Sequence, residues 1–118
     1  MKIPTSNRVL AVDLGGTKIS AALVDQKGSI VERITELVDK GTKHAPLKQI
    51  ARLAKGLGQK YRGTPFIAAG IVIPGLVRQD GTVWAPNVPG WQRIHLARLL
   101  EQELAVPVVV ESDRNGAV

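Results

Sequence analysis

Apolar residues come in short runs separated by polar or glycine-rich breaks, and the spacing within each run predicts an element. Val9-Leu10-Ala11-Val12 is a continuous run that ends in a carboxylate, Asp13. Leu14, Gly15 and Gly16 follow, then Thr17 and Lys18, and residues 19–24 form a second apolar stretch. Two such runs around so short a turn predict an antiparallel hairpin. Residues 25–29, DQKGS, are a turn. Ile30, Ile34 and Leu37, separated by charged residues, predict a third strand that continues the meander. After a loop at 39–43, a helix is expected over 45–61. Leu47, Ile50, Leu53, Ala54, Leu57 and Tyr61 share one face at helical spacing, and Pro46 is tolerated in the first turn. Lys48, Arg52, Lys55 and Lys60 fall largely outside that stripe. Gly56 and Gly58 each cost up to ~1 kcal/mol relative to Ala, so loose final turns are expected.

Residues 62–65, RGTP, break the helical pattern. FIAAGIVI, residues 66–73, is a nearly continuous apolar run of the kind found in a strand covered on both faces. Pro74-Gly75 ends it. Leu76-Val77 and Val83-Trp84 flank Gln79-Asp80-Gly81, a D-G hairpin signal. APNVPGW, residues 85–91, carries two prolines and a glycine and reads as an ordered loop. A second helix is expected over 94–104, with Leu96, Leu99, Leu100 and Leu104 inward, and a last strand over 105–110. His44 and His95 sit near the helix starts and carry no assigned chemistry. The order β-β-β-α-β-(hairpin)-α-β implies an α/β domain with a mixed sheet. Residues 1–7 read as a loose leader.

Composition narrows the picture. A chain of 118 residues suffices for one domain with a modest core. Aromatics make up only 3%, so that core is built from Val, Ile, Leu and Ala. Cysteine is absent, which excludes disulfides and thiolate metal sites in this chain and suits a reducing compartment. No apolar run approaches the ~20 residues needed to span a bilayer, and the first eight residues are too short and polar for a secretory signal. A cytoplasmic location without membrane contact is expected. The net charge of +6 raises the question of nucleic acid. The basic residues are scattered, however, and almost no aromatic is present for base stacking. A solvated surface with some affinity for anionic ligands accounts for the charge, and no nucleic-acid partner is expected.

The chemistry concentrates at the first turn, VLAVDLGGTK, residues 9–18. Adjacent glycines let the backbone come close to a ligand, and exposed N–H groups in such a turn can hold a phosphate. Thr17 adds a hydroxyl and Lys18 a cation. Asp13, at the end of a buried strand, is placed to hold Mg²⁺ directly or through water. The plainer reading is a hairpin whose turn needs glycine, with Asp13 and Thr17 satisfying local backbone groups. The whole D-x-G-G-T-K pattern after a buried strand favours phosphate. No G-x-x-x-x-G-K-[ST] is present, and no G-x-G-x-x-G opens a helix.

DLGGTK resembles the first phosphate motif of the sugar-kinase, Hsp70 and actin superfamily. More narrowly it is similar to the ROK family (repressor, open reading frame, kinase), which includes bacterial glucokinases and N-acetylhexosamine kinases. Three more segments resemble that family in the same order and roughly its spacing. GIVIPGLV, residues 70–77, is similar to its strand and sugar-side turn, and APNVPGW to its sugar-binding loop. VVVESDRNGAV, residues 108–118, is similar to its strand and E-N-D-x-N-x-A segment, which carries the catalytic aspartate. The resemblance covers nearly the whole chain. It implies an α/β fold of ribonuclease-H-like (actin-like ATPase) type: a mixed five-stranded sheet in the order 3-2-1-4-5, the second strand antiparallel to the rest, with helices on both faces.

By the same resemblance Asp113 is the catalytic base. Asp13, Gly15, Gly16, Thr17 and Lys18 bind the ATP phosphates and Mg²⁺, with Asp13 as the metal residue. Gly75, Asn87, Ser112 and Asp113 meet the sugar. The residues themselves allow this. Asp113 follows a buried strand where a helix would start, so the helix dipole favours the ionised carboxylate. Such a group can take a proton from a sugar hydroxyl as it attacks the γ-phosphate. It would also serve simply as an N-cap. Asn87 offers both donor and acceptor, or is a turn residue between prolines. Gly75 gives a sugar room near the backbone, or merely ends the strand. Ser112 stands where the family usually has Asn, so a shorter hydroxyl replaces an amide, and Arg114 is a bulkier neighbour than usual.

The resemblance further implies that this is the N-terminal lobe of a longer protein. A C-terminal lobe would complete the adenosine pocket and bring further sugar ligands, and often a cysteine-rich zinc site that this chain lacks. ATP and a hexose-type sugar are the expected partners, and the full-length protein is expected as a possible homodimer. The fragment alone is expected to be inactive, because each site lies between lobes. The rival expectation is a sugar-sensing ROK transcriptional regulator trimmed of its DNA-binding domain. Only Met1 to Val12 precede the D-x-G-G-T motif here, too little for a helix-turn-helix domain, so the kinase is preferred.

Overall fold

The computed structural model describes residues 7–61 and 66–113. Most of the expected leader, the RGTP break and Arg114 with the residues after it lie outside the described residues. The elements run β1 (Arg8–Leu14), β2 (Lys18–Val24), β3 (Ile30–Leu37), α1 (Ala45–Lys60), β4 (Phe66–Ile73), β5 (Leu76–Val77), β6 (Val83–Trp84), α2 (Leu96–Leu104) and β7 (Val108–Ser112). Five strands form one mixed sheet in the order β3-β2-β1-β4-β7, and β5-β6 is a separate hairpin. β2 is antiparallel to both its neighbours, whereas β1, β4 and β7 are parallel. This is the strand order that the family resemblance implied.

Alternation along the strands gives the sheet two unlike faces. Leu10, Val12 and Leu14 of β1, Ile19, Ala21 and Leu23 of β2, and Ala69, Ile71 and Ile73 of β4 are buried on the inner face. They join Leu47, Ile50, Leu53 and Leu57 of α1 and Leu96 and Leu100 of α2 in one core. The two helices pack on each other and on this face. The other face carries Ala11, Asp13, Gly70 and Val109, all exposed. Among the described residues both helices lie on the inner face. The continuous apolar run of β4 nonetheless includes exposed positions. Its outward residues include Gly70, which adds apolar character to the sequence without any side chain to bury.

Local signals explain the element ends. α1 holds to Lys60 despite Gly56 and Gly58, and the Tyr61 N–H closes it on the Leu57 carbonyl. α2 begins two residues later than expected, because Ile94 is taken into a backbone bridge with Val83. It ends on Ala105, which adopts a left-handed conformation at φ 59° and donates its N–H to the Glu101 carbonyl. That reversal moves the start of β7 from the expected 105 to Val108. The Val108 N–H is received by Glu101 Oε2 at 3.0 Å. Among the described residues no helix is long and apolar enough to cross a membrane.

Candidate functional site

The three parallel strands β1, β4 and β7 all deliver their carboxyl ends to one edge of the sheet. In an open α/β sheet this is where ligands bind. The ladder pairs Asp13 with Val72, and Val72 with Glu111, so both carboxylates stand on the outer face two strands apart. At the usual strand spacing that is about 10 Å. A cavity of about 780 Å³ opens over this face, and Asp13, Ser20, Arg33, Glu111, Ser112 and Asp113 contribute its polar lining. Asp13 and Asp113, assigned to opposite ends of the chain by sequence, thus share one cavity. Glu111 was missed. The signal for it was the alternation in VVVES, which puts Glu111 on the face of Asp13.

The glycine turn lies directly beyond Asp13. The Gly15 N–H donates to the Lys18 carbonyl at 2.8 Å, and the Val38 N–H donates to the Thr17 carbonyl at 2.8 Å, fastening the end of β3 to the turn. Gly15, Gly16, Thr17 and Lys18 do not themselves line the cavity. Gly16 faces the other candidate segment. A β-carbon placed on it would stand 3.6 Å from Asn87 Nδ2.

The APNVPGW segment is ordered by its own backbone. The Ala85 N–H donates to the Trp91 carbonyl at 2.8 Å and the Val88 N–H to the Ala85 carbonyl at 3.0 Å. Ala85, Val88 and Trp91 are buried, and the Trp91 indole N–H donates to the Lys43 carbonyl at 2.6 Å. Asn87 is left exposed at the tip. Below the loop, Asp80 Oδ1 accepts both the Thr82 hydroxyl at 2.6 Å and the Thr82 N–H at 2.9 Å. These bonds hold the Asp80 carboxyl below its usual range.

Gly75 and Ser112 meet each other at the ends of β4 and β7. The space in front of Gly75 is filled by the protein itself, since a β-carbon there would lie 2.0 Å from the Trp84 carbonyl oxygen. The buried Ser112 hydroxyl donates to the Gly75 carbonyl. Among the described residues, no three His, Cys, Asp or Glu side chains cluster closely enough to cage a metal.

The family model of the ROK family matches residues 9–118. The chain belongs to the ROK family. It is 37% identical over 110 residues to a glucokinase from Streptomyces coelicolor, covering 92% of this chain and 33% of that protein. It superposes on the ROK hexokinase from Thermus thermophilus with a TM-score of 0.82 at 31% identity, covering 93% of this chain and 36% of the other. A ROK family glucokinase from Streptomyces griseus, solved with glucose and AMPPNP, gives a TM-score of 0.80 at 34% identity, covering 93% and 34%. The chain therefore spans about a third of the length of the relatives it matches. Those relatives are sugar kinases, and a putative repressor is found among the more distant ones.

Proposed function

We propose that this chain is the N-terminal lobe of an ATP-dependent sugar kinase, in which the γ-phosphate passes to a hydroxyl of a hexose or N-acetylhexosamine. The observation that carries the reading is the shared cavity of Asp13 and Asp113, beside a glycine turn that touches Asn87. In this reading Asp113 accepts the proton of the attacking hydroxyl. Backbone N–H groups of Gly15 and Gly16, with Thr17 and Lys18, receive the phosphates. Asn87 and the Gly75 turn flank the sugar. Asp13 fits Mg²⁺, a hard cation held by one or two carboxylates together with phosphates and water. Asp13 is exposed and offers its carboxylate at the cavity. When bound, Mg²⁺ neutralises phosphate charge during transfer. The carboxylates of Asp13, Glu111 and Asp113 outnumber the Arg33 guanidinium in the cavity lining, which favours a cation there.

The test uses the full-length protein, because two-thirds of the length of the relatives lies outside this chain. ADP release is measured with Mg·ATP and a panel of hexoses and N-acetylhexosamines. Turnover with at least one sugar is expected, with a loss of about 10³-fold or more in Asp113→Asn and little change in nucleotide affinity. A full rate in Asp113→Asn would remove the base assignment. Sugar binding and sequence-specific DNA binding without turnover would make the protein a regulator instead. The 118-residue chain alone is expected to give no turnover.

A further inference from the structure

We propose that Ser112 is a positioning residue: its hydroxyl ties the end of β7 to the turn after β4, and so sets where Asp113 stands relative to the loop carrying Asn87. The catalytic consequence rests on the kinase reading above, while the tie itself rests on geometry. Ser112 pairs with Ile73 as the last rung of the β4–β7 ladder. Its side chain is buried and donates to the Gly75 carbonyl, two residues past the end of β4. Gly75 is packed tightly against the hairpin. Its Cα lies so close to β6 that a β-carbon would stand 2.0 Å from the Trp84 carbonyl oxygen and 3.0 Å from Ala85 Cα.

From there the contacts continue into the loop. Trp84 pairs with Leu76 in the small hairpin, and Ala85 closes the base of the 85–91 loop through its bond to Trp91. Asn87 stands at the tip, against Gly16. One line of contacts thus runs from the residue beside Asp113, through Gly75, to the loop that meets the glycine turn. A serine hydroxyl has a single proton to donate. Here it goes to the protein's own backbone, which makes Ser112 part of the scaffold that carries Asp113.

The experiment compares Ser112→Ala and Ser112→Thr with the parent full-length protein. Amide hydrogen exchange is followed in residues 73–77 and 85–91, and kcat and KM are measured for the sugar. In Ser112→Ala both segments are expected to exchange about tenfold faster, because a buried carbonyl loses its hydrogen bond to β7. The value of kcat is expected to fall about tenfold with sugar KM within about twofold. Ser112→Thr, which keeps the hydroxyl, is expected to restore both. Ser112→Cys keeps the volume with a weaker donor and supplies the same readouts should the alanine variant not fold. Unchanged exchange in 85–91 overturns the tie. A raised KM with kcat intact overturns the positioning role and makes the hydroxyl a sugar ligand. If the parent phosphorylates no sugar, the kinase reading fails, and the exchange measurement still decides the tie.

Discussion

The side-chain amide of Asn87 lies against Gly16: a β-carbon on that glycine would stand 3.6 Å from Asn87 Nδ2. The two residues belong to segments that share no strand ladder, the turn after β1 and the loop after β6. Their approach brings the 85–91 loop against the glycine turn that follows Asp13. Three of the loop's residues are buried and its ends are bonded to each other, so Asn87 is presented from a fixed base.

That contact separates the structural from the ligand-facing role of Gly16. At 3.6 Å an added methyl makes ordinary van der Waals contact, and Gly16 has no positive φ to strain. Gly16→Ala is therefore expected to leave stability within ~0.5 kcal/mol of the parent. On the kinase reading proposed above, the methyl would also crowd the approach of a phosphate to the backbone. In the full-length protein, affinity for Mg·ATP by titration calorimetry is expected to fall about tenfold, or ~1.4 kcal/mol. Unaltered affinity would mean that the turn does not meet phosphate.

Gly75 gives the opposite result. Its missing side chain is replaced by the Trp84 carbonyl oxygen, a backbone atom held in the β5–β6 pair and unable to swing aside. Gly75→Ala is expected to destabilise the protein by about 3 kcal/mol, at the upper end of overpacking costs, and to lower the thermal midpoint accordingly. A midpoint within a degree of the parent would show that the hairpin shifts freely, and would also weaken the case for Gly75 as a fixed anchor.

Most of the fold was legible because it is written in periodicity. Leu47, Ile50, Leu53, Ala54 and Leu57 recur at helical spacing and are the buried stripe of α1. The D-G signal at Asp80-Gly81 located the small hairpin, with Gly81 at φ 86°. Boundaries failed where an apolar residue adopts a turn conformation, as Ala105 does, because hydrophobicity carries no record of backbone handedness. The site was legible as motifs but not as contacts. Asp13 and Asp113 were both nameable, since each follows an apolar run. That Gly75 is filled by Trp84, and that Ser112 is spent on Gly75, depends on close approaches between distant segments that no local pattern encodes.

Gln49 illustrates a residue that spacing reveals only in hindsight. It lies four positions before Leu53 and is buried with it. Its amide donates to Glu36 Oε1 and to the Leu37 carbonyl, each at 2.9 Å, and its oxygen accepts the Asp39 N–H at 2.8 Å. It thus serves the backbone at the end of β3 and just beyond it. Gln49→Ala removes three bonds and leaves partly buried groups unpaired. A loss of about 1–3 kcal/mol is expected from denaturant melts. A loss below ~0.5 kcal/mol would indicate that water replaces the amide without penalty.

The same corner of the molecule sets an acid limit on stability. Arg52 Nη2 lies 2.6 Å from Glu36 Oε1, and this bond, followed by the Gln49 amide, holds the Glu36 carboxyl below its ordinary value of 4.5. Glu32 is lowered likewise, first by Lys60 at 2.8 Å and then by the Tyr61 hydroxyl at 2.7 Å. In the unfolded chain both carboxyls titrate near the ordinary value. As pH falls, the unfolded state therefore binds protons first, and the folded state loses the pairs only at lower pH. Their stabilisation is complete above the unfolded value and disappears as pH drops through the folded one. The thermal midpoint is expected to fall between about pH 5 and about pH 3, with a shallower slope in Glu36→Gln. Arg52 and Lys60 side chains are 61% and 60% exposed, so added salt should shrink the effect. An identical acid slope in parent and Glu36→Gln would place the acid sensitivity elsewhere in the chain.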